Sequence, residues 1–260
     1  MSAQLARLYG SRQLLANWTL REFRVRYSQA LLGVAWAVIQ PLVMMVITTV
    51  IFSTLLRLPT HGIPYPLYVY SGLLAWNLFA AGLSSAIPSV ADNMSLVSKV
   101  AFPREVLPIA SIGVSLIDFV VASIIFVALL IAFQTPIGLA VLLLPLVVLV
   151  QLALILGVSL LASAVHVRYR DTRFLVPLVL QALFFLTPIF YSIENIPAEY
   201  RALFFFNPVA NIVEAYRSLV FFNRLPDLAT VGYTVIFALV VLVLGYVVFK
   251  RAEGKFADLV

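Results

Sequence analysis

The arginines of this chain gather at the ends of its long apolar runs. Arg21, Arg24 and Arg26 precede the first run, and Arg168 and Arg170 follow the fourth. A guanidinium group can hold phosphate oxygens through two parallel hydrogen bonds, so these positions suit a phosphate-bearing ligand. Basic residues beside a membrane span also anchor a loop on the cytoplasmic side. The residue types alone leave both interpretations open.

Aromatic side chains are a second set of candidates. The candidates, all in or beside the apolar runs, are Trp36, Trp76, Phe184, Phe185 and Tyr191. Such rings can line a pore and stack on the apolar faces of sugars, or they can belong to the aromatic belt at a membrane surface. Composition alone favours the belt.

Several kinds of catalytic and metal site are excluded. The chain has no cysteine and only two histidines, which rules out thiolate sites and histidine-rich metal sites. None of the three lysines, Lys99, Lys250 and Lys255, stands in the phosphate-loop pattern G-x-x-x-x-G-K-[ST]. Any ATP hydrolysis must therefore come from another polypeptide.

Asp118, Gln151 and Gln181 are three of the polar residues that interrupt the apolar runs. Asp118 lies near the middle of the third run, where a carboxylate can serve as an ion or proton site. Because no second acidic residue accompanies it, a polar contact between helices is the favoured interpretation. The same interpretation applies to Gln151 and Gln181.

Membrane-spanning helices are the elements that must position these residues. Of 260 residues, 63% are hydrophobic and 11% are charged, which excludes an ordinary soluble domain. The net charge of +6 fits loops that face anionic lipid, and no nucleic-acid partner is expected. Six stretches approach or exceed the roughly 20 residues that a helix needs to cross: 31–56, 66–89, 106–133, 138–165, 174–191 and 229–249.

The distribution of basic residues predicts the orientation. Six crossings leave 13 lysines and arginines on one side and 4 on the other, and the basic side is cytoplasmic. Both termini are therefore predicted inside. Residues 1–27 are predicted to form an amphipathic helix on the inner membrane surface. The membrane domain then covers residues 28–260.

The inside loop at residues 92–104 is predicted to carry a short helix. Asp92 or Asn93 can cap it, Phe102 contributes to an apolar side, and Pro103 ends it. Such a helix suits insertion into a groove on a soluble partner. An ordinary loop on the membrane surface is the alternative.

The outer region at residues 192–228 is predicted to hold short helices that do not cross. Asn207, Pro208, Glu214 and Arg217 make the stretch 203–222 too polar for a lipid-facing span. Asn207-Pro208 fits a helix cap followed by the first helical position. A second short helix is predicted at 197–206.

Together these residues resemble the permease subunits of ABC-2-type exporters of O-antigen, capsule or teichoic-acid polymers. The resemblance runs in order from about residue 10 to residue 250. Its motifs are Arg26-Tyr27 with Leu32-Gly33, Trp36 and Pro41-Leu42; Lys99 with Phe102-Pro103 and Glu105-Val106; Arg168-Tyr169-Arg170-Asp171; Thr187-Pro188-Ile189 with Tyr191; and Asn207-Pro208.

The resemblance implies a homodimer in the bacterial inner (plasma) membrane, carried by two separately encoded ATPase subunits that hold ATP and Mg. No cofactor is then expected in this chain. The substrate implied is a polysaccharide on an undecaprenyl-diphosphate lipid, which passes through a channel at the dimer interface. An exporter of a drug or another lipid, or an ion-coupled secondary transporter, is the alternative.

Residue roles follow from this resemblance as expectations. Coupling to the ATPase subunits is expected of Trp18, Asp92, Lys99, Phe102, Pro103 and Arg104. The substrate diphosphate is expected at Arg24, Arg26, Arg168 and Arg170. The channel is expected to be lined by Trp36, Trp76, Phe184, Phe185 and Tyr191, and the outer gate to be formed by Asn207, Pro208, Glu214 and Arg217.

Overall fold

A computed structural model describes residues 12–256 except 29, 58, 61, 101 and 255, and in this part of the chain it contains helices and no strands. The predicted all-α class is therefore confirmed. The first eleven residues of the predicted surface helix lie outside the described residues. The rest of that helix, α1, is Arg12–Tyr27.

The other helices follow in chain order. They are α2 Trp36–Thr48, which continues as a π-helix over Thr49–Leu55, α3 Tyr65–Ala86, α4 Ser89–Asp92, α5 Met94–Lys99, α6 Val106–Ala132, α7 Leu144–Arg168, α8 Thr172–Leu186, α9 Ala198–Phe205, α10 Pro208–Val220 and α11 Leu228–Glu253. Single turns of 3-10 helix occur at Gly33–Ala35, Leu139–Leu143 and Ile193–Asn195.

Five segments are long and apolar enough to cross a membrane, and a sixth, α8, is apolar but shorter. The fifth predicted span was drawn to residue 191, whereas α8 ends at Leu186. Pro188 disfavours helical backbone at the residue before it, and Thr187 is extended at φ −103° and ψ 132°. The 15 residues of α8 cover about 22 Å, so an extended segment continues the path.

Helix α3 is the buried centre of the molecule, because most of its side chains are buried among those of the surrounding helices. Its backbone receives side chains from its neighbours. Gln151 on α7 donates to the Ala75 carbonyl at 2.7 Å and accepts from the Tyr216 hydroxyl at 2.9 Å. The interpretation of Gln151 as a contact between helices is confirmed.

The short outer helices agree with the sequence prediction, and the inner cap does not. The Asn207 side chain accepts from the backbone N–H of Val209 and Ala210, so α10 begins with the predicted cap. At α5, the residue in the cap position is Asn93, but its side chain caps nothing. It donates instead to the Ser89 carbonyl at 2.9 Å, one turn earlier. The predicted side-chain cap of the inner helix is therefore wrong.

Helices α7 and α11 cross at two glycines. A methyl group on Gly157 would lie 2.6 Å from the backbone nitrogen of Leu242, and one on Gly245 would overlap the carbonyl oxygen of Gly157. Close approach of backbones through small residues is a principal source of helix association in membranes. The two helices depend on this contact because lipid gives them no hydrophobic reason to pair.

We expect Gly245→Ala to destabilise the protein by about 1–3 kcal/mol, the usual cost of overpacking, and to lower the thermal unfolding midpoint in detergent by several degrees. Gly232→Ala is the matched control on the same helix, because a methyl group there meets no atom within 4 Å. Equal midpoints for the two variants would show that the crossing does not hold the helices together.

Candidate functional site: a polar groove between the first three spans

Two adjoining cavities form a groove beside α2 and α3. The inner one has a volume of about 400 Å³ and the next about 350 Å³. They share Gln40 and Pro41 from α2 and Asn77 and Ala80 from α3. The groove therefore runs from the end of α1, past the middle of α3, to α8.

An ion pair lies at the inner end of the groove. The Arg26 guanidinium is 2.8 Å from Asp118 Oδ2, and the Tyr27 hydroxyl donates to Asp118 Oδ1 at 2.7 Å. Burial, and after it the hydrogen bond to Asp118, raises the pKa of Tyr27 to about 12, so the hydroxyl keeps its proton. Both carboxylate oxygens thus accept a bond from the end of α1.

The pair lies beside the middle of α6. Asp118 is about 18 Å along this helix from its first residue, Val106. The expected place of Arg26 at headgroup depth stays a prediction. An arginine is tolerated beside the middle of an apolar helix when a carboxylate offsets its charge. The interpretation of Asp118 as a polar contact between helices is confirmed. Its bonds to the chain itself favour that role over an ion site.

Amide side chains line the groove above the ion pair. Gln40, Asn77 and Gln181 are exposed to it, and none has a hydrogen-bond partner among the described residues. Gln181 therefore makes no side-chain hydrogen bond between helices within the described part of this chain, and its expected helix contact stays a prediction. Amides offer both donors and acceptors, which suits a ligand rich in hydroxyl groups. Sequence reasoning missed Gln40 and Asn77 as site residues, although each is a polar residue inside an apolar run.

Aromatic rings form part of the groove wall. Trp36 lines the inner cavity with 43% of its surface exposed. Trp76 and Phe184 line the next cavity with ring centres 5.3 Å apart, and Phe190 stands 5.1 Å from Phe184. Phe185 is exposed but lines neither cavity, and Tyr191 bonds its carbonyl. The structure thus brings three of the five predicted channel rings to the groove.

The segment at residues 187–191 directly follows α8, which contributes Phe184 to the groove wall. Its backbone is not helical, and side chains bind its carbonyls. Arg217, which is 1% exposed, donates to the carbonyls of Pro188 at 2.7 Å and Ile189 at 2.8 Å. Tyr65 binds Phe190, Tyr68 binds Tyr191, and Asn207 binds Leu186.

Among the predicted gate residues, Asn207 and Arg217 therefore fasten this extended segment, and Glu214 forms an ion pair with Arg217 at 2.8 Å. Pro208 is the first residue of α10. The guanidinium of Arg217 also lies 3.6 Å from the centre of the Tyr68 ring. The four residues lie at one junction between α8, α10 and α3.

Two of the six predicted coupling residues, Trp18 and Phe102, lie at an inner cluster of apolar side chains from α1, α4, the 92–104 loop, α6, α7 and the end of α11. Trp18 and Phe102 pack against this cluster, which includes Val97, Phe249 and Phe256. Phe102 is half-buried against this cluster within its own chain. Its expected insertion into a groove on the partner stays a prediction.

Polar contacts fasten the same inner region. The backbone N–H of Arg104 donates to Glu253 at 3.4 Å, and its guanidinium binds the Glu253 carbonyl. Lys250 bridges Glu105 at 2.6 Å and Glu253 at 2.8 Å. Asp92 and Lys99 remain exposed, while Pro103 is half-buried.

The four arginines expected around a diphosphate do not share one cavity in this chain. Arg26 lines the groove, whereas Arg168 lines a separate cavity with Arg251. Arg24 and Arg170 are exposed and line neither. The expected contact of Arg168 and Arg170 with a substrate diphosphate stays a prediction.

Comparison with known proteins gives consistent matches along the chain. A family model described as ABC-2 type transporter matches residues 12–221. An O-antigen export system permease protein RfbA from Myxococcus xanthus is 29% identical over 254 residues, which is 96% of each chain. A protein of the same name from Klebsiella pneumoniae is 27% identical over 95% of this chain and 94% of its own. The polysialic acid transport protein KpsM of Escherichia coli is 25% identical over 90% of this chain and 91% of its own.

We expect Asp118→Asn to loosen α1, because the amide keeps an acceptor for Tyr27 but loses the charge that holds Arg26. A charge-assisted hydrogen bond contributes roughly 1.5 kcal/mol, so amide hydrogen exchange in α1 should rise about tenfold. Hydrogen-exchange mass spectrometry of the purified protein measures this.

The control is Asp171→Asn, which removes an exposed carboxylate from the loop between α7 and α8. The double variant Arg26→Gln/Asp118→Asn should loosen α1 about as much as either single change, because both remove one interaction. Unchanged exchange in α1 after Asp118→Asn would contradict this role for the pair.

Proposed function

Because the chain belongs to the ABC-2 type transporter family, we propose that it is the permease subunit of a polysaccharide exporter and works with ABC ATPase subunits. The observation that carries the proposal is the similarity to O-antigen and polysialic acid transport proteins along nine-tenths or more of each chain. Relatives that align along their whole length support a shared kind of cargo more strongly than a local match would.

The groove supports a carbohydrate cargo. Its amides, Gln40, Asn77 and Gln181, can bond to sugar hydroxyls, and its rings, Trp36 and Trp76, can pack against the apolar faces of sugars. A second copy of the chain placed across the exposed groove would enclose a channel. We infer a homodimer for this reason.

Arg26 is our candidate for the first contact with a lipid-linked substrate. The undecaprenyl diphosphate of such a substrate carries more charge and more acceptor oxygens than the single carboxylate of Asp118. A guanidinium can bind phosphate oxygens in bidentate fashion, so the diphosphate would compete with Asp118 for Arg26. Arg24, which precedes Arg26 in α1 and is exposed, would add a second cation.

Contact with the ATPase subunits is assigned to the exposed part of the 92–104 loop. Asp92, Lys99 and Val100 are exposed there, whereas Phe102 packs inward. The loop, α1 and α11 all contribute side chains to the inner cluster. A movement of the loop would therefore be passed to α1 through Trp18 and to α11 through Phe249. The cluster thus offers a path from ATP hydrolysis to the groove.

Loss of the permease should abolish surface polysaccharide and leave its lipid-linked form inside the cell, and the wild-type gene should restore export. Arg26→Lys keeps the charge but loses the bidentate contact, so export should fall about tenfold while membrane insertion stays normal. Quantifying surface and internal polymer in a deletion strain measures both results.

Arg173→Lys is the control, because Arg173 is on the same side of the protein and lines neither cavity of the groove. Wild-type export from both Arg24→Lys and Arg26→Lys would leave these arginines as membrane anchors only. Normal surface polysaccharide without the permease would contradict the proposed function itself.

The proposed orientation has both termini in the cytoplasm of a bacterial inner-membrane protein. The natural chain has no cysteine, so single cysteines report cleanly. Cysteines at the exposed positions Ala198 and Leu225 should react with an impermeant thiol reagent in intact cells, and one at the exposed Ser95 should react only after lysis. Labelling of the cysteine at position 95 in intact cells would show that the loop faces outward and would contradict the proposed orientation.

A further inference from the structure

A cavity of about 450 Å³ lies between the inner ends of α7 and α11, apart from the groove. Arg168 and Tyr169 line it from one helix end, and Val248 and Arg251 from the other. It shares no lining residue with the two cavities of the groove. A ligand here would bridge the two helices that cross at Gly157 and Gly245.

Two positive charges in this cavity lack a carboxylate partner within the described part of the chain. Neither Arg168 nor Arg251 forms an ion pair there; Arg168 lies over the ring of Tyr169, 5.4 Å from its centre. The nearby carboxylates of Glu105 and Glu253 are bound by Lys250. The cavity therefore has the charge to attract an anion.

An exposed apolar stripe runs from the cavity toward the outer side. It consists of Ile236, Leu239, Val240, Val243, Leu244 and Val247. Their spacing of three and four residues places them on one face of α11, and Arg251, four residues after Val247, continues the same face. The stripe is about 16 Å long, close to the roughly 15 Å of hydrocarbon in one leaflet.

We propose that this cavity binds an anionic phospholipid of the inner leaflet. The headgroup phosphate lies between Arg168 and Arg251, and an acyl chain follows the apolar stripe of α11. A paired guanidinium site at the end of an apolar helix face matches both parts of such a lipid, because basic pockets between helices on the cytoplasmic side hold acidic headgroups.

The apolar stripe favours a phospholipid over two other anionic ligands, an acidic protein and the diphosphate of the export substrate. A soluble acidic protein could contact the arginines, but it could not contact an apolar helix face that continues through one leaflet. The diphosphate of an export substrate carries a polymer that must reach the groove, and this cavity shares no lining residue with the two cavities of the groove. The proposal thus gives Arg168 a different ligand from the one its sequence motif implies.

The test measures lipid retention by native mass spectrometry on the permease bound to its ATPase subunits, purified from cells that make no lipid-linked polymer. Phosphatidylglycerol and phosphatidylcholine with identical acyl chains are the probes. Phosphatidylglycerol should bind more tightly. An arginine near a membrane surface contributes about a fivefold preference, so Arg168→Gln should weaken phosphatidylglycerol about fivefold and Arg168→Gln/Arg251→Gln roughly 25-fold.

Two control variants separate charge from folding. Arg173→Gln removes a cation on the same side that does not line the cavity, and it should leave retention unchanged. Arg168→Lys/Arg251→Lys keeps both charges and should retain most of the preference for phosphatidylglycerol. If the lysine variant loses phosphatidylglycerol and also unfolds at a lower temperature, the arginines act by stabilising the fold. That result would overturn the proposal that their charge binds the lipid.

Three further results would overturn the proposal. Equal retention of the two lipids by the wild type would remove the charge preference. Arginine-dependent binding of undecaprenyl diphosphate, without arginine-dependent binding of phosphatidylglycerol, would assign the cavity to substrate. Release of the ATPase subunits by the double glutamine variant, with lipid retention unchanged, would assign the arginines to a protein contact.

Discussion

A backbone carbonyl away from water must be bonded, and the six carbonyls of residues 186–191, from the last residue of α8 onward, lack a helical partner. Each has a partner: Asn207 binds the first, the Ile189 N–H binds the second, Arg217 binds two, and Tyr65 and Tyr68 bind the last two. Helix α8 can therefore end short of a full crossing without an unsatisfied group. The extended backbone beyond the α8 wall of the groove is stable because these side chains replace helical hydrogen bonds.

Other features of the outer half follow from this arrangement. Arg217 has to reach the carbonyls from α10 across α3, and a methyl group on Gly72 would stand 3.1 Å from its guanidinium and 3.2 Å from the Ile189 backbone. Phe190 is held by its own carbonyl bond and presents its ring to Phe184 in the groove wall. The position of an aromatic ring in the groove thus depends on an arginine and a tyrosine that never touch the groove.

Composition and periodicity predict the helices, because apolar runs of about 20 residues have few alternatives in a bilayer. The cap at Asn207 is predictable for the same reason, since the interaction is local. Contacts between residues that are far apart in the chain cannot be predicted in this way. The contact of Arg26 with Asp118 joins residues 92 positions apart, and nothing in either neighbourhood specifies it.

The same limit applies to the candidate site. Asn77 looks like any polar residue in a buried helix until α2 and α6 leave space beside it. The sequence likewise does not show that Phe102 and Trp18 pack against one apolar cluster, because the two residues are far apart in the chain. The residue types of the groove can thus be recognised in the sequence, but tertiary packing decides which of them lie side by side.

The neutrality of the Arg26–Asp118 pair has an electrical consequence. Moving one elementary charge through the full membrane potential changes the energy by about 2.3 kcal/mol per 100 mV, whereas a closed pair of opposite charges has almost no such dependence. While Arg26 stays bonded to Asp118, the inner end of the groove does not respond to voltage. A separated pair would leave a bare carboxylate in α6, and the energy of that state would vary with how strongly the cell polarises its membrane.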